Sequence, residues 1–316
     1  MITSLILFLF GLFILVGGAN LLVSNALGIA RRFNISPMVA GLLIVGVGTS
    51  IPELSITLVS NFTGNGEIGI GTIIGSNIFN LLIILSLAAL IFPLKIKDHW
   101  IKRDMKWNVL AVVLVMALLF PFLGETATIG RLEGLLLLSL FAVWAVQVFR
   151  SPRSQENNAP SVRILALPLG ILMIMAGIVG VVLGGKWVVG GALALAQLFS
   201  VSPSIIALFI VGIGTSLPEL VVSLVAALKR ETGIVVGNIV GSNIFDFFMI
   251  LGAASLMKPL SFDSSLILDL AVGLLAASLI LLFLFVGERY TITRVKALLA
   301  LGLYFLYIFT TFLYRT

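Results

Sequence analysis

Cysteine is absent from this chain of 316 residues, and charged residues are scarce, at 10% of the total. The lack of cysteine excludes disulfides, thiolate metal sites and thiol chemistry. The scarcity of charge excludes an ordinary soluble protein, in which about a quarter of the residues are charged. Apolar residues are abundant instead, at 60% of the sequence.

Apolar runs of about 20 residues recur along the chain, and each is long enough to cross a hydrocarbon layer of ~30 Å. Ten such segments are predicted, at residues 2–30, 37–60, 68–92, 107–123, 129–149, 164–198, 203–228, 234–257, 265–286 and 295–313. The connections between them are too short for a soluble domain. The sequence therefore predicts an all-α membrane protein with ten transmembrane helices, surrounded by a lipid bilayer.

The basic residues mark one side of the membrane. Fifteen lysines and arginines lie in the loops after segments 1, 3, 5, 7 and 9, against three on the opposite side. Because basic loops stay in the cytoplasm, these five loops are predicted to be cytoplasmic. An even number of helices then places both termini outside the cell. The net charge of +6 reflects this topology, and no nucleic-acid partner is expected.

The segment at 37–60 is interrupted by the sequence GVGTSIPE at residues 46–53. Pro52 has no N–H for the carbonyl four residues earlier, at Gly48, so the helix should break there. A carbonyl freed in the membrane interior needs another partner, and a cation would serve. Thr49 and Glu53 add oxygens on one helix face, since they are four residues apart. An ionisable residue inside a membrane segment is costly and indicates function.

The same stretch recurs 166 residues later, as GIGTSLPE at residues 212–219. Residues 44–54 and 210–220 match at nine of eleven positions, and GSNIF at 75–79 recurs at 241–245 with the same offset. Each half of the chain then holds five helices, and an odd number inverts the second half relative to the first. Two inverted five-helix repeats with interrupted helices near the midplane are typical of secondary transporters.

The repeat divides the chain into two halves. The first spans 1–150 and carries the repeated element at 37–92, and the second spans 164–316 and carries it at 203–258. The polar stretch at 151–163 is predicted to be a cytoplasmic linker. At ~1.5 Å per residue, Gly48 lies roughly 16 Å into its segment and Asn80 about 18 Å into the next, so both are near the bilayer midplane.

Hydroxyl, amide and carboxylate oxygens recur at this depth in segments 2, 3, 7 and 8. The candidate ligands are Thr49, Ser50, Glu53, Ser76, Asn80, Thr215, Ser216, Glu219, Ser242 and Asp246. No nitrogen or sulfur donor suited to a transition metal is among them, and oxygen ligands suit hard cations such as Na⁺ and Ca²⁺. Without cations the three carboxylates would repel one another, and protonation would relieve the repulsion, so protons should compete with metal ions.

Helix packing is the alternative explanation for part of this set. Small residues are common where membrane helices meet, so the two GSN segments fit either interpretation. Buried carboxylates need a counter-charge, which makes packing a poor explanation for Glu53, Glu219 and Asp246. Asn77 and Asn243 are expected to bond backbone or other helices, and not the ion.

The paired motifs GVGTSIPEL with GSNIFN and GIGTSLPEL with GSNIFD resemble the α-repeats of the cation/calcium antiporter superfamily, and within it the prokaryotic sodium/calcium exchangers. The resemblance implies exchange of cytosolic Ca²⁺ for external Na⁺ by alternating access. It implies that Glu53 and Glu219 bridge the Ca²⁺ site with help from Thr49 and Thr215. Asn80 and Asp246 would complete Na⁺ sites. The ligands implied for the outer sites are Ser50, Ser76, Ser216, Ser242 and the carbonyls near Gly46 and Gly212.

Two variants of this function stay open. Asp246 stands where sodium/calcium-only branches of the superfamily often have Asn and potassium-using branches have Asp, so potassium coupling is one alternative. A Ca²⁺/H⁺ antiporter is another, because the carboxylates alone would permit proton exchange. A passive channel would need no inverted repeat, and no zinc motif or nucleophile–base pair supports an enzyme. We therefore expect a transporter, with no cofactor and no obligate protein partner.

Overall fold

The computed structural model describes residues 2–97, 100–119, 128–150, 164–198, 214–261 and 266–315. These residues are mostly helical, which confirms the helical fold class. By length and hydropathy, six of the described helices can cross a membrane, or seven if one bent pair counts as a span. The count of ten therefore stays a prediction. The linker at 151–163 and the first part of segment 7 lie outside the described residues.

The helices of the first half are α1 (Ile2–Arg32), α2 (Pro37–Thr49), α3 (Ile51–Phe62), α4 (Gly66–Ile91), α5 (Lys106–Leu119) and α6 (Arg131–Phe149). Those of the second half are α7 (Leu167–Leu198), α8 (Leu217–Leu228), α9 (Thr232–Met257), α10 (Ile267–Phe283) and α11 (Arg294–Arg315). The two-residue strands are β1 (Leu94–Lys95), β2 (Thr128–Ile129), β3 (Leu260–Ser261) and β4 (Thr291–Ile292). Each of the ten predicted segments contains helix in its described part.

Both copies of the GTSxPE motif interrupt the helices, as predicted. α2 ends at Thr49, and α3 begins two residues later at a bend of 45°. Ser50 (φ −80°, ψ 10°) and Ser216 (φ −87°, ψ 6°) occupy the two breaks with nearly the same backbone geometry. Pro52 and Pro218 are each the second residue of the following helix, where a missing N–H leaves no helical bond unmade.

Single π-helical turns lie close to these polar segments. They occupy Gly41–Gly46 in α2, Asn80–Ile84 in α4 and Phe245–Ile250 in α9. A π-helical turn inserts one residue into a helix and is often found at functional sites. The turns in α4 and α9 are equivalent in the repeat, because Asn80 and Asp246 are 166 residues apart.

The chain packs as two units, each of which takes elements from both sequence halves. Unit 1 comprises Met1–Pro52 and Ser151–Asn238, and unit 2 comprises Glu53–Arg150 and Ile239–Thr316. In unit 1, α1 and α7 lie against each other through glycines. A Cβ added at Gly184 would lie 2.5 Å from the Leu15 nitrogen, and one added at Gly18 would lie 2.7 Å from the Val181 nitrogen. Small residues let membrane helices approach this closely, and a larger side chain would separate them.

In unit 2, each antiparallel strand pair and each helix pair consists of one element from the first half of the chain and one from the second. β1 pairs with β4, so that Leu94 lies opposite Ile292, and β2 pairs with β3, so that Ile129 lies opposite Leu260. α4 packs on α11, α9 on α6, and α10 on α5. β1 and β3 are repeat counterparts, since their residues differ by 166 positions. Equivalent elements of the two halves thus make equivalent contacts.

Candidate cation site

The two interrupted helices bring both motif copies together inside unit 1. The Ser50 hydroxyl donates to Glu219 Oε1 at 3.4 Å, and the Thr49 hydroxyl lies close to the same carboxylate. Glu219 is 1% exposed and Thr49 is fully buried. The first copy therefore places two hydroxyls beside the carboxylate of the second copy, in surroundings closed to solvent.

Asn238, on α9, joins this cluster and was not identified from the sequence. Its Oδ1 atom lies 3.1 Å from the Thr49 hydroxyl, and its Nδ2 atom donates to the Glu219 carbonyl oxygen at 3.2 Å and to Ser223 Oγ at 2.9 Å. The Asn238 side chain is fully buried. The sequence does contain one indication of Asn238, because the repeats differ at this position and the equivalent residue in the first half is Thr72.

Unit 2 holds a second polar cluster, built from the GSN segments. Asn77 Nδ2 donates to Asp246 Oδ2 at 2.8 Å, and Asn80 Nδ2 donates to Asn243 Oδ1 at 3.0 Å. All four side chains are at most 2% exposed. The prediction that Asn77 and Asn243 bond backbone or other helices is confirmed, since Asn77 also donates to the Ile73 carbonyl and each residue bonds one of the opposite half. Ser76 Oγ, predicted as a ligand, donates to the Ile73 carbonyl at 3.1 Å.

Several buried oxygens of these clusters have no hydrogen-bond partner among the described residues. They are Glu219 Oε2, Ser216 Oγ, Asn77 Oδ1 and Asn80 Oδ1. Buried polar atoms are nearly always paired, so the unpaired oxygens within each cluster fit a cation, which accepts lone pairs without needing a proton. Three or more acidic, His or Cys side chains do not gather in one cluster within the described parts of the chain. Hydroxyl and amide oxygens would therefore supply much of a cation's coordination.

The predicted ligands divide between the two units. Unit 1 contains Gly46, Thr49, Ser50, Thr215, Ser216 and Glu219, and unit 2 contains Glu53, Ser76, Asn80, Ser242 and Asp246. Gly212 lies outside the described residues. Glu53 and Asp246 are each 1% exposed and Ser242 is fully buried, so these candidate ligands lie inside the protein. Thr215 is partly exposed, at the break before α8.

The long apolar helices and the buried oxygen clusters define a class of protein, a multi-pass membrane protein with polar groups suited to hard cations. A family model described as "sodium/calcium exchanger protein" matches residues 3–150 and 169–313, which is nearly the whole chain. The chain therefore belongs to the sodium/calcium exchanger family, as its paired motifs predict.

Individual relatives cover most of the chain. The sodium/calcium exchanger MaX1 of Methanosarcina acetivorans is 29% identical and covers 98% of both chains. The inner membrane protein YrbG of Escherichia coli is 32% identical over 83% of this chain and 82% of its own. A solved structure of the sodium-calcium exchanger NCX_Mj matches with a TM-score of 0.82 at 31% identity, over 98% of both chains.

Proposed function

We propose that the chain is a secondary antiporter that exchanges Ca²⁺ for Na⁺ across the cell membrane. The buried Glu219 carboxylate carries the proposal. Two hydroxyls contact it, and its Oε2 atom has no partner among the described residues. Carboxylate, hydroxyl and amide oxygens are the ligands that Na⁺ and Ca²⁺ prefer. The relatives MaX1 and NCX_Mj are sodium/calcium exchangers, which supports the same assignment.

The ligand roles extend this proposal to single residues. Glu53 and Glu219 bind Ca²⁺, with oxygens from Thr49 and Thr215, because a divalent cation needs the two negative charges. Na⁺ takes oxygens from the remaining set, which is Asn80, Asp246, Ser50, Ser76, Ser216, Ser242 and the carbonyls of Gly46 and Gly212. The Gly46 carbonyl accepts the Ser50 N–H at 3.2 Å and lies 3.2 Å from the Thr49 hydroxyl, so it belongs to the same polar cluster.

Alternating access is the second part of the proposal. α1 and α7 slide to open the ion site to one side of the membrane at a time, and the glycines between these helices provide the smooth surface that sliding needs. The second half is inverted relative to the first, with both termini outside the cell. Equivalent contacts made by the two halves, such as the pairs β1–β4 and β3–β2, support this inversion.

The test is uptake of radioactive Ca²⁺ into vesicles that contain only the purified chain. We expect uptake when Na⁺ is high inside and low outside, and no uptake when Na⁺ is equal on both sides. Uptake driven by a pH gradient alone would establish the Ca²⁺/H⁺ alternative instead. A requirement for K⁺ on the Na⁺ side would establish the potassium-dependent exchanger. Flux without any counter-ion gradient would identify a channel and overturn the antiporter assignment.

A further inference from the structure

We propose that Asn238 is a positioning residue that turns the Thr49 hydroxyl so that its lone pairs face the transported cation. This inference rests on the proposed function, because it concerns a ligand of that same site. Asn238 is not itself a ligand in this account. It acts by accepting a hydrogen bond from the Thr49 hydroxyl, and its effect on ion binding passes through Thr49 alone.

The orientation of the Asn238 amide follows from its neighbours. The Glu219 carbonyl oxygen can only accept a hydrogen bond, and it lies 3.2 Å from one end of the amide. That end must therefore be the NH₂ group, which also donates to Ser223 Oγ at 2.9 Å. The Oδ1 atom is left facing Thr49 at 3.1 Å. Because Oδ1 carries no proton, the Thr49 hydroxyl must be the donor in this bond.

The acceptor to which the Thr49 hydroxyl donates its hydrogen bond determines which lone pairs stay available to a cation. Three acceptors are near it, namely Asn238 Oδ1, the Gly46 carbonyl at 3.2 Å and the Glu219 carboxylate. A bond to Glu219 would use a carboxylate lone pair that the cation needs, and Gly46 already accepts the Ser50 N–H. Donation to Asn238 leaves the lone pairs of Thr49 and Glu219 available to the ion.

Backbone packing holds Asn238 at this position. The preceding residue, Gly237, packs against α2, where an added Cβ would lie 2.6 Å from the Met38 carbonyl oxygen and 2.8 Å from Gly41 Cα. α2 also carries Thr49 at its end. The close approach of the two backbones therefore fixes the distance between the amide and the hydroxyl, as outer groups fix the ligands of metal sites.

The first half of the chain has no equivalent of this amide. Thr72 occupies the matching position in α4, and its hydroxyl donates at 2.8 Å to the Ile68 carbonyl of its own helix. The two copies of the motif are thus unequal at this point. Thr72 also provides a matched control, since Thr72→Val removes a polar group at the equivalent position without touching Thr49.

A double-mutant cycle tests the inference, with the KM for Ca²⁺ in Na⁺-driven vesicle uptake as the readout. We expect Asn238→Leu to raise this KM by roughly 10-fold, the lower end of what the loss of an outer partner costs a metal site. In a Thr49→Val background the same substitution should add less than about twofold, because the hydroxyl that it orients is gone. In a Thr49→Ser background, which keeps the hydroxyl, the full effect should return. Thr72→Val should leave the KM unchanged.

Additive effects of Asn238→Leu and Thr49→Val would overturn the inference, since a purely structural amide would damage both backgrounds alike. An equal effect of Thr72→Val would also overturn it. If Asn238→Leu does not fold, Ser223→Ala replaces it in the cycle, because it removes one anchor of the amide and leaves Asn238 in place. A wild-type protein without Na⁺-driven uptake would instead refute the proposed function. Ca²⁺-induced thermal stabilisation of the purified variants then tests the cycle independently of transport.

Discussion

Asn77 donates a 2.8 Å hydrogen bond to Asp246, and the repeat reproduces this contact with the partners exchanged. Adding 166 to Asn77 gives Asn243, and subtracting 166 from Asp246 gives Asn80, which bond each other at 3.0 Å. The two bonds differ in charge, since only one contains a carboxylate. The GSN helices are therefore equivalent in position and unequal in charge.

The two repeated glutamates should be indispensable. Glu53→Gln and Glu219→Gln each keep the size of the side chain but remove the negative charge that a divalent cation requires. We expect each variant to abolish Na⁺-driven Ca²⁺ uptake in vesicles. Glu67→Gln, which changes an exposed glutamate at the start of α4, is the matched control and should transport normally. Normal transport by either of the first two variants would remove that glutamate from the site.

A larger side chain at the glycine contact between α1 and α7 should destabilise the protein. In Gly184→Ala the new Cβ would meet the Leu15 backbone at 2.5 Å, so the helices must separate. We expect a loss of roughly 1–3 kcal/mol in stability, typical of overpacking, measured as a lower thermal melting temperature of the purified protein. Gly17 lies in α1 of the same helix pair, and a Cβ added there would have no atom within 4 Å. The melting temperature of Gly17→Ala should therefore equal that of the wild type. Equal melting of both variants would contradict the close packing.

Acidification should inhibit transport. A protonated carboxylate has no negative charge to offer a cation, so protons compete with Ca²⁺ at the buried acidic residues. We expect the rate of Ca²⁺ uptake to fall as the pH drops from neutral into the acid range, and high Ca²⁺ to restore part of it. The measurement is the initial rate in vesicles with equal pH on both sides. A flat profile over that range would argue against a site lined by carboxylates.

The inverted topology can be tested with single cysteines, because the chain contains none of its own. Lys95 and Ser261 are repeat counterparts, both exposed, in β1 and β3. In intact cells, Ser261→Cys should react with a membrane-impermeant maleimide, whereas Lys95→Cys should react only after the membrane is permeabilised. Labelling of both from the same side would show that the halves are parallel.

The sequence predicted the features that depend on local chemistry. Pro52 and Pro218 indicated where the helices break, and the breaks lie at Ser50 and Ser216. Burial of Glu53, Glu219 and Asp246 followed from their place in apolar segments, and it is observed.

Features that depend on tertiary packing could not be predicted in this way. The repeat marks Asn238 as a difference from Thr72, but the sequence does not show which residues Asn238 contacts, and Thr49 lies 189 residues away. The pairing of β1 with β4 was missed because two-residue strands have no periodicity to detect. The division of the chain into two packing units likewise depends on contacts between distant segments, which the repeat alone does not specify.

Competition between Na⁺ and Ca²⁺ on the same side of the membrane tests the central claim most directly. If both ions use the same buried oxygens, external Na⁺ should raise the apparent KM for external Ca²⁺ in vesicle uptake and leave the maximum rate unchanged when Ca²⁺ is saturating. A KM for Ca²⁺ that is indifferent to Na⁺ on that side would mean that the two ions bind at separate sites, and would contradict the account.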